Sequence, residues 1–298
     1  MERKRPVLID GYAEAFDFLA QYIAARGGLS FRPKALMSSA QTLPKKSREI
    51  IEKAFSLAES GRPGAVLVSV PMDIFSQEVD VALFERLRHN TKKLHKPSLD
   101  EETAAAIVRK LAQAKSPVIY AGGGVILADA AGELRQLVDH LALPVAHSLM
   151  GKGALSDDHP LTLGMTGFWG TKFINGKCRD ADYVLALGTR FAEADCSSWD
   201  PRHTFSMPPT RLIQIDIDPA EIGRNFPVET GAVADLKQAL GALVRVAKRL
   251  YPEARKNEAL AKEIAAYRAE FARANEKHVA SASYPMRPER ILSAVREV

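Results

Sequence analysis

Three short stretches of this chain carry residue types suited to one kind of chemistry. Gly122-Gly123-Gly124, Gly188-Thr189-Arg190, and Asp216 with Asp218 each stand at or just past the end of an apolar run. Glycines let a backbone come close to a phosphate, and the amino end of a following helix adds a favourable dipole. An arginine in such a place pairs bidentately with a pyrophosphate, and an aspartate accepts hydrogen bonds from a ribose. Together the three outline a nucleotide or dinucleotide site. Each also has a plain structural reading: the triplet as a tight turn, Arg190 paired with Glu193 or Asp195, and Asp216 as the cap of the next helix. The spacing does not match G-x-G-x-x-G, so the usual dinucleotide fingerprint is absent.

Other chemistry-bearing residues are dispersed. The seven histidines are scattered and none pairs with a carboxylate at metal-ligand spacing, which argues against a metal site. Cys178 and Cys196 read as packing residues. Ser197-Ser198 lacks a G-x-S-x-G elbow. Trp169, in Gly167-Phe168-Trp169-Gly170, has two readings, stacking on a ligand ring or packing in the core.

The elements that must position these residues alternate. Pro117 to Ala121, Pro144 to His147, Tyr183 to Leu187 and Leu212 to Ile217 read as buried strands, with Val233-Ala234 as a short fifth. Between and after them come helical patterns, one through Leu134, Leu137, Val138 and Leu141 and one through Leu236, Leu240, Leu243, Ala247 and Leu250. A further helix opens near Asp100, with Ser98 or Asp100 as N-cap and Glu101-Glu102 in its first turn. Alternating strands and helices predict an open parallel sheet with helices on both faces, an α/β fold. In such sheets ligands bind outside the carboxyl ends of the strands, where the three stretches lie.

Around this unit the chain reads as follows. Residues 1–80 are the later part of another α/β domain, with helical patterns through Tyr12 to Ile23 and Ser47 to Leu57 and a buried strand from Ala65 to Val70. Residues 81–100 are a linker, 101–250 the open α/β domain, and 251–298 a charged helix with Leu260, Ile264, Tyr267 and Phe271 on one face, followed by the start of a further domain at Arg290. Both ends look truncated.

The length of 298 residues suits two domains, and 46% hydrophobic with 26% charged residues excludes a disordered or fibrous chain. No apolar run is long enough for a membrane span, and the charged N-terminus lacks a signal-peptide core. The net charge of +5 raises nucleic acid as a partner, but the one dense run, Arg86 to Lys96, has no aromatic residue to stack a base. The expectation is a cytoplasmic protein that binds neither nucleic acid nor membrane.

Several segments, in order, resemble thiamine-diphosphate enzymes of the acetolactate synthase type. They are Pro117 to Val125, Leu149-Met150-Gly151-Lys152-Gly153-Ala154, His159-Pro160-Leu161 through Gly164-Met165, Leu185 to Phe191, and Ile215 to Gly223. Upstream, Ser60 to Gly64 and the run to Pro71-Met72-Asp73 resemble the end of that family's pyrimidine-binding domain. The resemblance implies a Rossmann-like central domain that binds FAD or ADP. It sets Gly122, Gly123 and Gly124 by the ribityl phosphate, and Gly188, Thr189 and Arg190 by the pyrophosphate. Asp216, Asp218 and Asp235 fall towards the adenosine, and Ser148, Leu149, Gly164 and Met165 along the groove.

It further implies that the intact protein, a homo-oligomer using thiamine diphosphate and magnesium, decarboxylates a 2-oxo acid and ligates the product to a second carbonyl. The family's Gly-Asp-Gly…Asn-Asn motif is absent from these 298 residues, and its activating glutamate matches no position, so no catalytic residue is assigned. Trp169 stands where the flavin enzymes usually have histidine, and Ala192-Glu193-Ala194 where they have Asp-Asp-Arg. The alternative is a non-catalytic nucleotide-binding or oligomer-scaffold module. A sirtuin-like deacylase would need a Gly-Ala-Gly-x-Ser loop and zinc cysteines, which are missing.

Overall fold

The computed structural model describes residues 53–69 and 95–297 of the protein. The chain divides into two units, residues 1–95 and 96–298. In the first, residues 53–59 are helical with Ala54 buried, and Gly61 takes a left-handed φ of 57° at the turn that follows. The expected strand over 65–70 is not formed within the described part, 65–69. These residues have no regular structure, and Leu67 is 56% exposed. An apolar run becomes a buried strand only when a ladder partner and a covering layer are present, and neither meets it among the described residues. The expected helix at Tyr12 to Ile23, the start of the one from Ser47, and most of the linker lie outside the described residues.

In the second unit the periodicities become elements almost where expected. Helix α1 spans Glu101–Gln113, strand β1 Pro117–Ala121, short helix α2 Gly123–Leu127, α3 Ala131–Leu141 and β2 Val145–His147. Then come β3 Thr162–Met165, α4 Lys172–Arg179, β4 Tyr183–Leu187, β5 Arg211–Asp216 and β6 Thr230–Val233. Helices α5 Leu236–Leu250, α6 Glu258–Val279 and α7 Pro288–Glu297 close the chain. Asp100 caps α1 by accepting from the Thr103 amide at 2.8 Å, and Asp235 caps α5 by accepting from the Gln238 amide at 3.2 Å. The six strands are all parallel, in the order β3-β2-β1-β4-β5-β6. Strand order therefore reverses between β1 and β4, which makes their junction the topological switch point.

Alternation along the strands sorts the core into two layers. Ile119, Ala121, Leu185, Leu187, Ile213 and Ile215 face α1, α3 and α5, which bring Ile107, Leu137 and Leu243. Val118, Tyr120, Val184, Ala186 and Leu212 face the other way, onto Ile174 and Cys178 of α4 and Ile264 of α6. An aromatic cluster fills that second layer, with Tyr120 ring centroids 5.3 Å from Phe191 and 5.0 Å from Phe205, and Phe226 5.1 Å from Phe191.

Two elements go beyond the expectations. Strand β3 contains Gly164 and, among the described residues, pairs only with β2, across a register irregularity at Val145/Ala146, so its apolar signal is short and broken. Helix α4 holds Asn175 and Gly176, poor helix formers, and relies on Thr171 as N-cap. Residues 96–98 of the expected linker are tied to this unit: Lys96 pairs with Asp235 at 2.8 Å, and the Pro97 carbonyl accepts from the Asp235 amide at 2.9 Å. Helix α6 likewise lies on the α/β layer. Ile264 is fully buried, Tyr267 stacks on Phe173 at 4.3 Å, and its hydroxyl lies 2.6 Å from Thr171 Oγ1.

Two tests follow from this packing. Gly122→Ala would set a Cβ 2.2 Å from the Gly188 carbonyl oxygen, so urea denaturation should show a loss of about 3 kcal/mol or more. Gly132→Ala, in α3 with nothing within 4 Å, should instead gain about 0.5 kcal/mol. For α6, Ile264→Ala should cost about 3 kcal/mol, and Tyr267→Phe only about 1 kcal/mol, if the helix is part of the cooperative unit. Unchanged midpoints for both would mean that α6 frays independently.

Candidate functional site

The carboxyl ends of β1 and β4 meet backbone to backbone. The Gly122 amide donates to the Leu187 carbonyl at 2.9 Å, the Gly124 amide to the Gly188 carbonyl at 3.1 Å, and the Gly188 amide to the Ile215 carbonyl at 2.9 Å. Gly188 has a left-handed φ of 57°, and a Cβ on Gly124 would fall 2.7 Å from its Cα. The triplet is thus a close crossing of α2 over the end of β4. Of its three amides, only that of Gly123, at the first position of α2, has no partner among the described residues.

All thirteen residues expected at a nucleotide site lie along this one edge, in sheet order. Gly164 and Met165 end β3, Ser148 and Leu149 follow β2, and Gly122, Gly123 and Gly124 follow β1. Gly188, Thr189 and Arg190 follow β4, Asp216 and Asp218 stand at the end of β5, and Asp235 follows β6. The structure brings the β1, β2 and β4 groups together. Gly151, in the turn opened by Ser148, comes so near Ala121 that a Cβ there would meet its carbonyl oxygen at 2.1 Å, and Met150 covers Gly123. The outer groups stay apart, and Gly164 is packed towards Ile174 of α4.

The polar groups divide into those engaged by the fold and those turned outward. Ser148 Oγ accepts from the Gly151 amide at 3.1 Å, and Thr189 Oγ1 from the Phe191 amide at 3.3 Å. Asp216, buried, accepts from the Asp218 amide at 2.9 Å, and Asp218 from the Ala220 amide at 3.0 Å. The helix cap expected of Asp216 is therefore supplied by Asp235 instead. Arg190 is exposed. Its guanidinium makes no hydrogen bond or ion pair among the described residues, so the expected partners Glu193 and Asp195 do not take it. Asp195 instead accepts from the Leu149 amide at 3.2 Å.

Several positioning residues escaped the sequence reading. Gln214, in the middle of β5 and buried, donates through Nε2 to the carbonyls of Thr189 at 3.3 Å and Glu221 at 3.0 Å, and its Oε1 accepts from the Gly223 amide at 3.0 Å. Asn225 donates to the carbonyls of Arg190 at 2.7 Å and Phe191 at 3.1 Å. Gln214 had a legible signal, as the polar residue inside Leu212-Ile213-Gln214-Ile215. Between them these two residues hold the Thr189–Phe191 loop against the loop after β5.

The edge carries a rim of large apolar side chains. Leu149 is 55% exposed, Met150 73%, Phe168 60% and Trp169 65%, so Trp169 is not the core residue that was its alternative reading. The loop after β4 is held in left-handed backbone at Phe191, Ser197, Ser198 and Trp199, with φ from 50° to 58°. The Trp199 indole donates to the Phe191 carbonyl at 2.8 Å, and Ser197 and Thr204 hydroxyls lie 2.7 Å apart across it. His147, buried at the end of β2, has its pKa lowered by burial and stays neutral near pH 7. Burial pushes the Cys178 thiol up to about 12 and raises that of Cys196 as well, so neither is a nucleophile. Among the described residues no cluster of His, Cys, Asp and Glu forms a metal site, and no helix is long and apolar enough to cross a membrane.

Comparison with known proteins places this geometry. Residues 104–243 match the model of the thiamine pyrophosphate enzyme central domain. The chain is 37% identical over 206 residues to a probable acetolactate synthase large subunit of Methanocaldococcus jannaschii, covering 67% of this chain and 34% of that protein. It is also 37% identical over 206 residues to glyoxylate carboligase of Escherichia coli O157:H7 (67% of this chain, 33% of that protein). To acetolactate synthase of Arthrospira platensis it is 33% identical over 211 residues (68% and 35%). The chain thus spans about a third of the length of the curated relatives it matches. A six-stranded parallel sheet reversing at a glycine crossing, within the matched residues, is the fold expected of that domain. Residues 104–243 thus carry a domain of the thiamine pyrophosphate enzyme central-domain type, and the chain's similarity over about two thirds of its length is to acetolactate-synthase-like proteins.

Proposed function

We propose that this α/β unit is the nucleotide-binding central domain of a thiamine-diphosphate-dependent carboligase or decarboxylase acting on 2-oxo acids, and that its carboxyl edge takes FAD, or ADP in its place. The observation that carries this is the switch-point crossing of Gly122–Gly124 on Gly188, beside Arg190, which is exposed and has no ion-pair partner among the described residues. The residues present fit such a group. Arg190 and the Gly123 amide supply donors for a pyrophosphate, and Leu149, Met150, Phe168 and Trp169 offer apolar surface for a flat ring. Asp216, Asp218 and Asp235 lie at the end of the edge assigned to the adenosine. Since the Gly122 and Gly124 amides are bonded within the fold, those glycines shape the cradle and do not donate to the phosphates.

In the enzyme, thiamine diphosphate supplies the carbanion chemistry, and the residues of this unit bind and orient the nucleotide. No residue among them is given a catalytic role, and magnesium belongs with the thiamine diphosphate. The names of the curated relatives, acetolactate synthase and glyoxylate carboligase, support carboligation of small 2-oxo acids as the reaction of the whole protein. The same reading puts the protein in the cytoplasm, in keeping with its two buried free cysteines, and in a homo-oligomer.

Titration of the purified chain with FAD, followed by flavin fluorescence and melting temperature, tests the proposal. Quenching with a raised melting temperature is expected, and Arg190→Ala should weaken binding by about tenfold, the loss of one charged pairing. A response to ADP alone would select the flavin-free alternative, and silence to both would sink the site assignment. Gln214→Leu should separate positioning from binding. Leaving the Thr189 and Glu221 carbonyls and the Gly223 amide without their partner should cost about 2 kcal/mol of stability, and nucleotide affinity should fall with it.

A further inference from the structure

The opposite edge of the sheet holds a feature that the nucleotide reading does not use. Where β1 and β2 begin, a cavity of about 300 Å³ opens between the carboxyl ends of α1 and α3 and the amino end of α6. Its volume is at the small end for a small-molecule site. Leu111, Leu141, Leu143, Leu163 and Leu260 give it an apolar floor; the first four are buried and Leu260 is half-buried. Lys115, Lys177, Arg255 and Lys256 stand around it, with no carboxylate among the residues that line it.

The four cations are not equivalent. Lys177 pairs with Glu263 at 2.7 Å and lies 5.5 Å from the centre of the Phe173 ring. Arg255 donates to the Ala112 carbonyl at 2.5 Å and lies over the Tyr251 ring at 4.8 Å, so it caps the end of α1. The ammonium groups of Lys115 and Lys256 have no hydrogen bond or ion pair among the described residues. The Asp182 carboxylate accepts from the backbone amides of Lys115 and Ser116, at 2.6 and 3.0 Å. The amino end of α6, with Asn257 as its cap, adds the positive end of a 22-residue helix dipole.

A cavity with an apolar floor and unneutralised cations at its mouth is complementary to a molecule that is apolar at one end and anionic at the other. A free phosphate would leave the leucines uncovered, and a neutral hydrocarbon would leave the lysines unpaired. We propose that this edge is a second ligand site, for a small amphiphilic monocarboxylate whose carboxylate meets Lys115 and Lys256 and whose chain lies on the leucine floor.

The test is calorimetric titration of the full 298-residue chain with octanoate, octan-1-ol and acetate in turn. Octanoate should bind saturably, with octanol and acetate each weaker by about tenfold or more, since each lacks one half of the recognition. The double variant Lys115→Glu with Lys256→Glu alters two exposed side chains and should leave the melting temperature unchanged while weakening octanoate about tenfold. Arg190→Ala should not alter octanoate binding, so this site and the nucleotide reading stand or fall separately. The proposal is overturned if octanol matches octanoate, if acetate does so, if charge reversal has no effect, if Arg190→Ala abolishes the signal, or if octanoate gives none.

Discussion

The unit is organised by a contact that no side chain makes: the backbone of Gly122–Gly124 lies directly on that of Gly188. A parallel sheet that reverses its strand order needs α2 to leave β1 at once and cross the end of β4. With Cβ atoms at this crossing the approach would fall well below van der Waals separation, as the distances of 2.2 to 2.7 Å from built Cβ positions make plain. The same approach consumes the Gly122 and Gly124 amides, which defines what remains for a ligand. The cradle is formed by shape, by the Gly123 amide, and by Arg190 projecting from the next loop.

The loops on this edge are then secured from beneath. Gln214 reaches from the middle of β5 to the loops on either side of it, and Asn225 holds the carbonyls of Arg190 and Phe191. Phe191, in left-handed backbone, is fixed between Tyr120, Phe205 and Phe226 in the second layer of the core. Burial of Tyr120 pushes its hydroxyl well above the usual range, so it stays protonated, 3.3 Å from Thr166 Oγ1. A strained loop with its aromatic anchor in the core and its carbonyls bonded is rigid where Arg190 leaves it, which is the preorganisation that a charged contact requires.

What the sequence disclosed follows the strength of each signal. Short continuous apolar runs bounded by turn residues, such as Pro117–Ala121 and Tyr183–Leu187, read as buried strands, and the 3.6-residue pattern of Leu236 to Leu250 reads as a helix with one buried stripe. Those elements, and with them the edge that carries the candidate site, were legible. Strand β3 was not, because Gly164 interrupts its run and, among the described residues, only one side of it carries a ladder. The apolar run at Ala65 to Val70 reads as a strand, yet its described part, 65–69, has no regular structure, since pattern reports what a segment tends to bury and not the conformation it takes. Tertiary fastenings such as Gln214 and Asn225 join residues distant in the chain, and single-sequence periodicity carries no trace of such pairs.

The two edges of the sheet differ in a way that follows from the direction of its strands. At the carboxyl edge helices begin, and the fold presents amides, glycines and a lone arginine among exposed apolar side chains. Four such side chains on neighbouring loops, more than half exposed, mark an edge shaped to be covered. At the amino edge α1 and α3 end, their last carbonyls draw cations towards them, and Arg255 satisfies one of these directly. Lys115 and Lys256 have no ion-pair partner among the described residues, and the leucines beneath them, though buried in the core, line a cavity that opens at this edge. Helix polarity therefore accounts for the presence of positive charge at this edge, whereas the surplus of charge over a leucine-lined cavity is a property of the side chains chosen there, and it is this surplus that distinguishes the proposed ligand site from a set of caps.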